Sequence, residues 1–240
     1  MSDDASAAAN EHARRVREMF ANIATRYDLL NHLLSANVDK RWRRLVAGDV
    51  GKLLPPDGAQ VLDVACGTGD LSLMLFEMTG AKVVGSDFCR PMLSVAAKKA
   101  AGTEAVRFIE ADALGLPFAK ETFDAVTIAF GLRNLASAEQ GLKEMLRVLR
   151  PGGRLAVLEF SRPVVPGLKL LFNVYFTRLL PWIGGIISGS PGAYKYLPKS
   201  VSRFLPQEEL AELMREVGFV EVRYENLTGG IAAFHSGTKS

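Results

Sequence analysis

A short run in this 240-residue chain, Asp63-Val64-Ala65-Cys66-Gly67-Thr68-Gly69-Asp70, carries an apolar stretch straight into two glycines. Glycine lets a backbone turn sharply and approach a ligand closely. A dinucleotide site wants a third glycine three residues after the second. Ser72 holds that slot, and Cys66 precedes the first glycine. The spacing therefore argues against a pyrophosphate and suits a cofactor that ends in an amino acid, with Asp63, Gly67 and Thr68 as contacts. A plain structural turn is the alternative. Asp87 follows Gly67 by 20 residues. A carboxylate there can accept both hydroxyls of a ribose; it can equally cap a helix opened by Pro91. Asp112 can accept from an adenine amino group while the N–H of Ala113 donates to a ring nitrogen, the alternative being a solvated loop acid. Together the three elements describe an adenosine-shaped site.

The elements needed to position these residues are legible. Strand-like runs lie at 61–65, 82–85, 106–110, 124–129 and 154–160, with helical runs at 71–79, 91–100 and 138–149 between them. Pro151-Gly152-Gly153 reads as a turn. A further helix runs from Pro206 to Gly218, and short strands are expected at 220–224 and 231–235. Such alternation implies an α/β fold, a mostly parallel sheet with helices on both faces. Each acid or glycine falls at the carboxyl end of a strand, where ligands bind in such sheets. The length suits one domain. Residues 1–15 are polar and Ala/Ser-rich and are expected to be disordered; 16–240 form the domain, with a helical lid at 16–58.

The net charge of +3 is too small to argue for nucleic acid. Cys66 and Cys89 form neither a disulfide framework nor a metal-ligand spacing, so no metal is expected and a cytoplasmic setting is. The most apolar stretch, 168–187, is broken by Lys169, Asn173, Arg178 and Pro181, a poor candidate to cross a membrane.

The rhythm of strands and helices breaks at 162–206. This insertion holds Arg162, Lys169, Arg178, Lys195, Lys199 and Arg203 and no acid, together with Phe172, Tyr175, Phe176, Trp182, Tyr194, Tyr196 and Phe204. Aromatics interleaved with positive charge suit an anionic membrane surface or a groove for an isoprenoid tail. A helical hairpin completing the core is the alternative.

The glycine loop and the two acids resemble those of class I S-adenosylmethionine-dependent methyltransferases. Two longer stretches narrow this. Tyr27-Asp28-Leu29-Leu30-Asn31-His32-Leu33-Leu34-Ser35, followed by Trp42, resembles the first signature of the ubiquinone/menaquinone biosynthesis C-methyltransferase family. Arg147-Val148-Leu149-Arg150-Pro151-Gly152-Gly153, continuing to Leu158-Glu159-Phe160-Ser161, resembles its second. Phe130-Gly131-Leu132-Arg133-Asn134 and the tail from Asn226 are also similar. Relatives usually carry Met where Leu30 stands, His where Asp39 stands, and often Ser where Ala129 stands. The resemblance implies a Rossmann-like seven-stranded sheet, S-adenosyl-L-methionine as cofactor, and methylation of a ring carbon of a polyprenyl quinol. That acceptor is demethylmenaquinol or the corresponding benzoquinol of the ubiquinone pathway.

Making a ring carbon nucleophilic calls for a stabilised phenolate, since a free phenol has a pKa of about 10. Arg133, just past the fourth strand, is the candidate to stabilise it, with Asn134 or Tyr27 orienting a water that carries the proton. The alternatives are an arginine paired to a nearby acid and a core tyrosine. His32 reads as a lid residue and His235 as structural. Trp42 with Arg41, Arg43 and Arg44 reads either as a headgroup anchor or as a solvated helix end. Partners expected are the lipid-tailed quinol and a peripheral membrane surface at the inner face, with a homo-oligomer left open. Three further readings stay open: a methyltransferase for another apolar acceptor, a non-catalytic scaffold, and a nicotinamide oxidoreductase, the last disfavoured by Ser72.

Overall fold

The computed structural model describes residues 2–35, 37–165, 167 and 191–240. Three helices lead in: α1 (Ser2–Ile23), α2 (Tyr27–Leu34) and α3 (Val38–Gly51). Then follow β1 (Gln60–Val64), α4 (Asp70–Thr79), β2 (Lys82–Asp87), α5 (Arg90–Lys99), β3 (Val106–Glu110), β4 (Phe123–Ala129), α6 (Ala138–Val148) and β5 (Leu149–Phe160). After the insertion come α7 (Pro191–Arg203), α8 (Gln207–Val217), β6 (Phe219–Leu227) and β7 (Ala232–Lys239). One turn of 3-10 helix, Leu132–Asn134, links β4 to α6.

The seven strands lie in the order β3-β2-β1-β4-β5-β7-β6. β1 pairs in parallel with β2 and β4, β2 with β3, and β4 with β5. β7 runs antiparallel between β5 and β6. The chain winds outward from β1 to β3 and then returns to β4, so the order reverses between β1 and β4. Ligand crevices open at such a point, beyond the carboxyl ends of the strands.

Strands buried on both faces read as unbroken apolar runs. Val61, Leu62 and Val64 of β1, Val126 and Ile128 of β4, and Leu155 to Leu158 of β5 are fully buried. On one face they meet Trp42, Val46 and Val50 of α3 and Leu71 and Leu75 of α4. On the other they meet Leu142, Met145 and Val148 of α6 and Leu210 and Met214 of α8.

The structure departs from the sequence reading in three places. α1 begins at Ser2, inside the stretch expected to be disordered. Its alanines favour helix, and Glu11 pairs with Arg14 and Arg15 one turn on. Pro151-Gly152-Gly153 does not end a strand. β5 runs through it, with a register shift opposite Phe123 and Ala125 and Gly152 at φ 77°, so the glycines serve a bulge. β6 and β7 are longer than expected because they pair along their whole length. Of the insertion, 166 and 168–190 lie outside the described residues, and with them Lys169, Phe172, Tyr175, Phe176, Arg178 and Trp182. The described part, α7, packs Leu197 and Val201 with Phe20, Ile23 and Ala24 of α1.

Candidate active site

A cleft of about 830 Å³ opens at the carboxyl ends of β1, β2 and β4. One end is lined by Gly67, Asp87, Phe88, Met92, Asp112, Ala113 and Leu114; the other by Phe20, Tyr27, Ala129, Phe130 and Asn134.

The first end is built by the three strand-end elements. Gly67 has φ +57°, and the direction a Cβ would take holds no atom within 4 Å, so a ligand can lie directly on this backbone. Gly69 has another role. A Cβ there would come within 2.8 Å of the Phe108 ring and 3.1 Å of the Ala96 Cβ; this glycine lets the loop pack onto the sheet. The Asp87 carboxylate accepts from the backbone N–H of Gly67 (2.9 Å) and of Cys89 (2.8 Å). Burial raises its pKa, and these bonds pull against the rise. Asp87 lines the cleft and holds the backbone at Gly67 and Cys89; it is not the cap of α5, whose N-cap residue is Cys89. Asp112 accepts from the N–H of Leu114 (2.9 Å), which leaves the neighbouring Ala113 lining the cleft with it.

Asp63 and Thr68, expected to touch the cofactor, stand behind the cleft. Asp63 is 1% exposed and accepts from Ser72 Oγ (2.6 Å) and Thr127 Oγ1 (2.8 Å). It ties the glycine loop's helix to β4, and burial pushes its carboxyl up to about 6. Ser72, in the slot where a dinucleotide fold keeps glycine, is the residue that holds it. Thr68 turns its hydroxyl to Asp28.

Asp28 belongs to a polar seam that fastens α2 over the glycine loop. Lys99 of α5 bridges Asp28 (3.0 Å) and Asp70, the first residue of α4. His32 faces Asp39 (3.0 Å) and Asp70 (3.6 Å). Asp39 also accepts from Ser35 (2.6 Å) and pairs with buried Arg43. Burial works against the charge of Asp39, but Ser35 and Arg43 outweigh it and hold the carboxyl below its usual range. His32 is thus a lid residue, and the Asp that stands where relatives have His is a structural hub. Trp42 and Arg43 are not a headgroup anchor. Trp42 is buried, donates to Thr228 Oγ1 (3.1 Å), and stands edge-on to Phe160. Its burial within the main core supplies the physical reason. His235 is buried in β7, with Nε2 2.8 Å from the carbonyl oxygen of Gln207.

At the acceptor end, Tyr27 sits at the start of α2, edge-on to Phe20. Burial pushes its hydroxyl pKa up, while a hydrogen bond with Asn31 and the charge of Arg133 pull it down. Ala65 and Phe130 follow β1 and β4 with φ of 51° and 58°, and both line the cleft. Strained backbone of this kind concentrates at functional sites. Phe130 stacks on Phe160 at 4.6 Å, with Arg43 over the Phe130 ring and Arg133 over the Phe160 ring.

Arg133 does not line the cleft. Its guanidinium is 5% exposed and pairs with Glu159 at 2.5 Å, and Nη1 also donates to the carbonyl of Phe130. The expected direct contact gives way to the alternative, an arginine paired to an acid. The reason is topological: β4 and β5 are parallel neighbours with Ala129 opposite Leu158, which brings the residues just beyond them together. Asn134 does line the cleft. Its Nδ2 donates to the same carbonyl (3.3 Å), and its Oδ1 accepts from Tyr196 (3.1 Å).

A family model described as the ubiE/COQ5 methyltransferase family matches residues 8–239. The chain belongs to this family. A relative named demethylmenaquinone methyltransferase, from Thermus thermophilus, is 55% identical over 224 residues, covering 92% of this chain and all of that protein. One of the same name from Deinococcus radiodurans is 49% identical, covering 95% of this chain and 94% of its own. A ubiquinone/menaquinone biosynthesis C-methyltransferase UbiE from Geobacter sulfurreducens is 47% identical, covering 95% and 90%. Among solved structures, a SAM dependent methyltransferase from Aquifex aeolicus superposes with TM-score 0.58 at 20% identity, covering 79% of this chain and 86% of that one. A Haemonchus contortus phosphoethanolamine N-methyltransferase in complex with S-adenosyl-L-methionine gives 0.61 at 15%, covering 83% and 52%. At such identities these two show the fold.

The protein is thus an S-adenosylmethionine-dependent methyltransferase, and its cleft fits that cofactor. The open backbone at Gly67, the buried carboxylate of Asp87 and the Asp112-Ala113 pair line one end of the cleft and are the residues that would hold an amino-acid end, a ribose and a base. The residues the sequence did not single out are Glu159 and Tyr196. Glu159 carried a signal, since an acid inside a buried strand requires a partner.

Proposed function

We propose that this methyltransferase acts on a ring carbon of a lipid-tailed quinol: demethylmenaquinol, with the benzoquinol of the ubiquinone pathway as a second acceptor. The observation that carries this is the full-length match to relatives named for that substrate. The apolar acceptor end formed by Phe20, Tyr27 and Phe130 supports it.

Bound S-adenosylmethionine supplies a methyl group already activated by its sulfonium. The chain must hold a ring carbon in line and favour the ring's phenolate. Phe20 and Phe130 flank the acceptor and exclude water. Tyr27 and Asn134 bring the polar atoms to this end: Asn134 faces the ring oxygen, and Tyr27 orients the water that removes the hydroxyl proton. Arg133 acts from behind the Phe130 carbonyl; its field favours the anionic form of nearby hydroxyls, Tyr27 and Tyr196 among them. Positioning and fixed charge of this kind supply most of a catalyst's gain when the donor is already activated.

Among the described residues no helix is long and apolar enough to cross a membrane. We place the encounter with the lipid-tailed acceptor at the inner face of the membrane, through reversible contact. The quinone profile of cells lacking the protein tests the proposal. Accumulated demethylmenaquinone is expected; an unchanged profile overturns it.

A further inference from the structure

Asn134 is held at both ends of its amide. The carbonyl of Phe130 can only accept, so the amide edge facing it must be Nδ2, 3.3 Å away. The opposite edge, Oδ1, then accepts from the Tyr196 hydroxyl at 3.1 Å. Without that donor the amide could turn over only by setting an oxygen against an oxygen, or swing off the carbonyl altogether. Tyr196 comes from α7, which is anchored on α1 through Leu197 and Val201. Its hydroxyl therefore spans 62 residues of sequence to reach a side chain that lines the cleft.

We propose that Tyr196 is a positioning residue: the Phe130 carbonyl decides which edge of the Asn134 amide carries Nδ2, and Tyr196 holds the amide there against swinging away, so that an N–H is offered to the acceptor's ring oxygen. This rests on the quinol reading above. An N–H donor stabilises a phenolate; an amide oxygen in its place would repel one. One lone pair of Oδ1 is engaged by Tyr196, and one Nδ2 hydrogen by Phe130. The second Nδ2 hydrogen remains for the ring oxygen as negative charge builds there. Deprotonation of the ring hydroxyl sends its proton to water, and the electron pair left on oxygen feeds the ring carbon, which bonds to the methyl group as the sulfonium–methyl bond breaks and S-adenosylhomocysteine is left; the hydrogen on that carbon then departs to water as a proton and the ring regains its aromaticity.

The test uses the full-length protein with S-adenosylmethionine and a short-tailed demethylmenaquinol, product being followed by mass. Removing one preorganised donor to a developing anion costs on the order of 100-fold in kcat, expected for Asn134→Ala. Tyr196→Phe loosens that donor without deleting it, and a fall of about 10-fold is expected, with the KM for S-adenosylmethionine within about two-fold of wild type. The limb of kcat that rises with pH moves to higher pH in Tyr196→Phe, because the bound phenol has lost stabilisation of its anion. Adding Tyr196→Phe to Asn134→Ala changes nothing further. Wild-type kcat and pH profile in Tyr196→Phe overturn the proposal, as does an equal loss with and without Asn134. If the wild-type protein leaves the quinol unmethylated, the quinol reading fails instead, and the same variants are read on the acceptor it does use.

Discussion

Arg133 and Glu159 form a closed pair beneath the cleft: Nη1 lies 2.5 Å from one carboxylate oxygen, and the Arg133 backbone N–H donates to the other at 3.2 Å. The side chains are 5% and 2% exposed. Breaking one half of a buried pair strands the other charge, at a cost of about 3–5 kcal/mol. Glu159→Gln should lower stability by that order in urea unfolding. The double variant Arg133→Met, Glu159→Gln should regain much of it, since no charge is left stranded. Methylation should stay low in the double variant, because the charge of Arg133 is lost. Full turnover in the double variant would mean that the pair serves the fold alone.

Asp87 and Asp112 should differ in what they contribute to cofactor affinity. A hydrogen bond to a charged group is worth about 1.5–3 kcal/mol. Asp87→Ala should therefore weaken S-adenosylmethionine binding by roughly 10- to 100-fold in calorimetry. Asp87 is buried whereas Asp112 is exposed, so water competes for the contact Asp112 makes, and its replacement by Ala should have the smaller effect. The reverse ranking would place the ribose elsewhere.

The two glycines of the loop should fail in different ways. Both have positive φ, +57° at Gly67 and +80° at Gly69, where a side chain costs about 1–2 kcal/mol. Gly69→Ala additionally drives a methyl group into Phe108 and Ala96. It should lose several degrees more in melting temperature than Gly67→Ala. Gly67→Ala places its methyl in the cleft and should lose cofactor affinity instead. Thermal unfolding with and without S-adenosylmethionine separates the two.

Asp63 makes stability depend on pH in a direction opposite to most carboxylates. Its folded pKa, about 6, lies above the ordinary 3.8. The protonated form is therefore favoured in the folded state. That stabilisation is complete below pH 3.8 and is lost as pH rises through 6, an amount of about 3 kcal/mol. Asp63→Asn cannot ionise, so the difference in unfolding free energy between pH 5 and pH 8 should shift in favour of pH 8 relative to wild type. An identical difference in both proteins would show that Asp63 does not titrate in this range.

Much of the fold was legible because the sheet's central strands are buried on both faces and announce themselves as apolar runs. The glycine loop and the acids at 87 and 112 were legible because each occupies a strand end, a position that periodicity locates. What escaped were contacts across long separations. Tyr196 meets Asn134 over 62 residues and Lys99 meets Asp28 over 71, and no local pattern records either. Arg133 was misassigned for the same reason: a cation after a strand looks free until the neighbouring strand delivers Glu159 beside it. Trp42 and Arg43 looked like a basic surface because helical spacing shows which residues share a face but not which face is covered.

α2 carries its jobs on separate sides of two helical turns. Tyr27 enters the cleft, Asp28 and His32 join the polar seam, and Leu29 and Leu33 point outward at 62% and 55% exposure. A helix advances about 100° per residue. Inserting or deleting a single residue ahead of Asp28 would turn every one of these side chains out of place at once, sending leucines toward the lysine bridge and the acids toward solvent. The eight residues of this helix can therefore drift by substitution but not by length, so their spacing is less free to vary than any one of their identities.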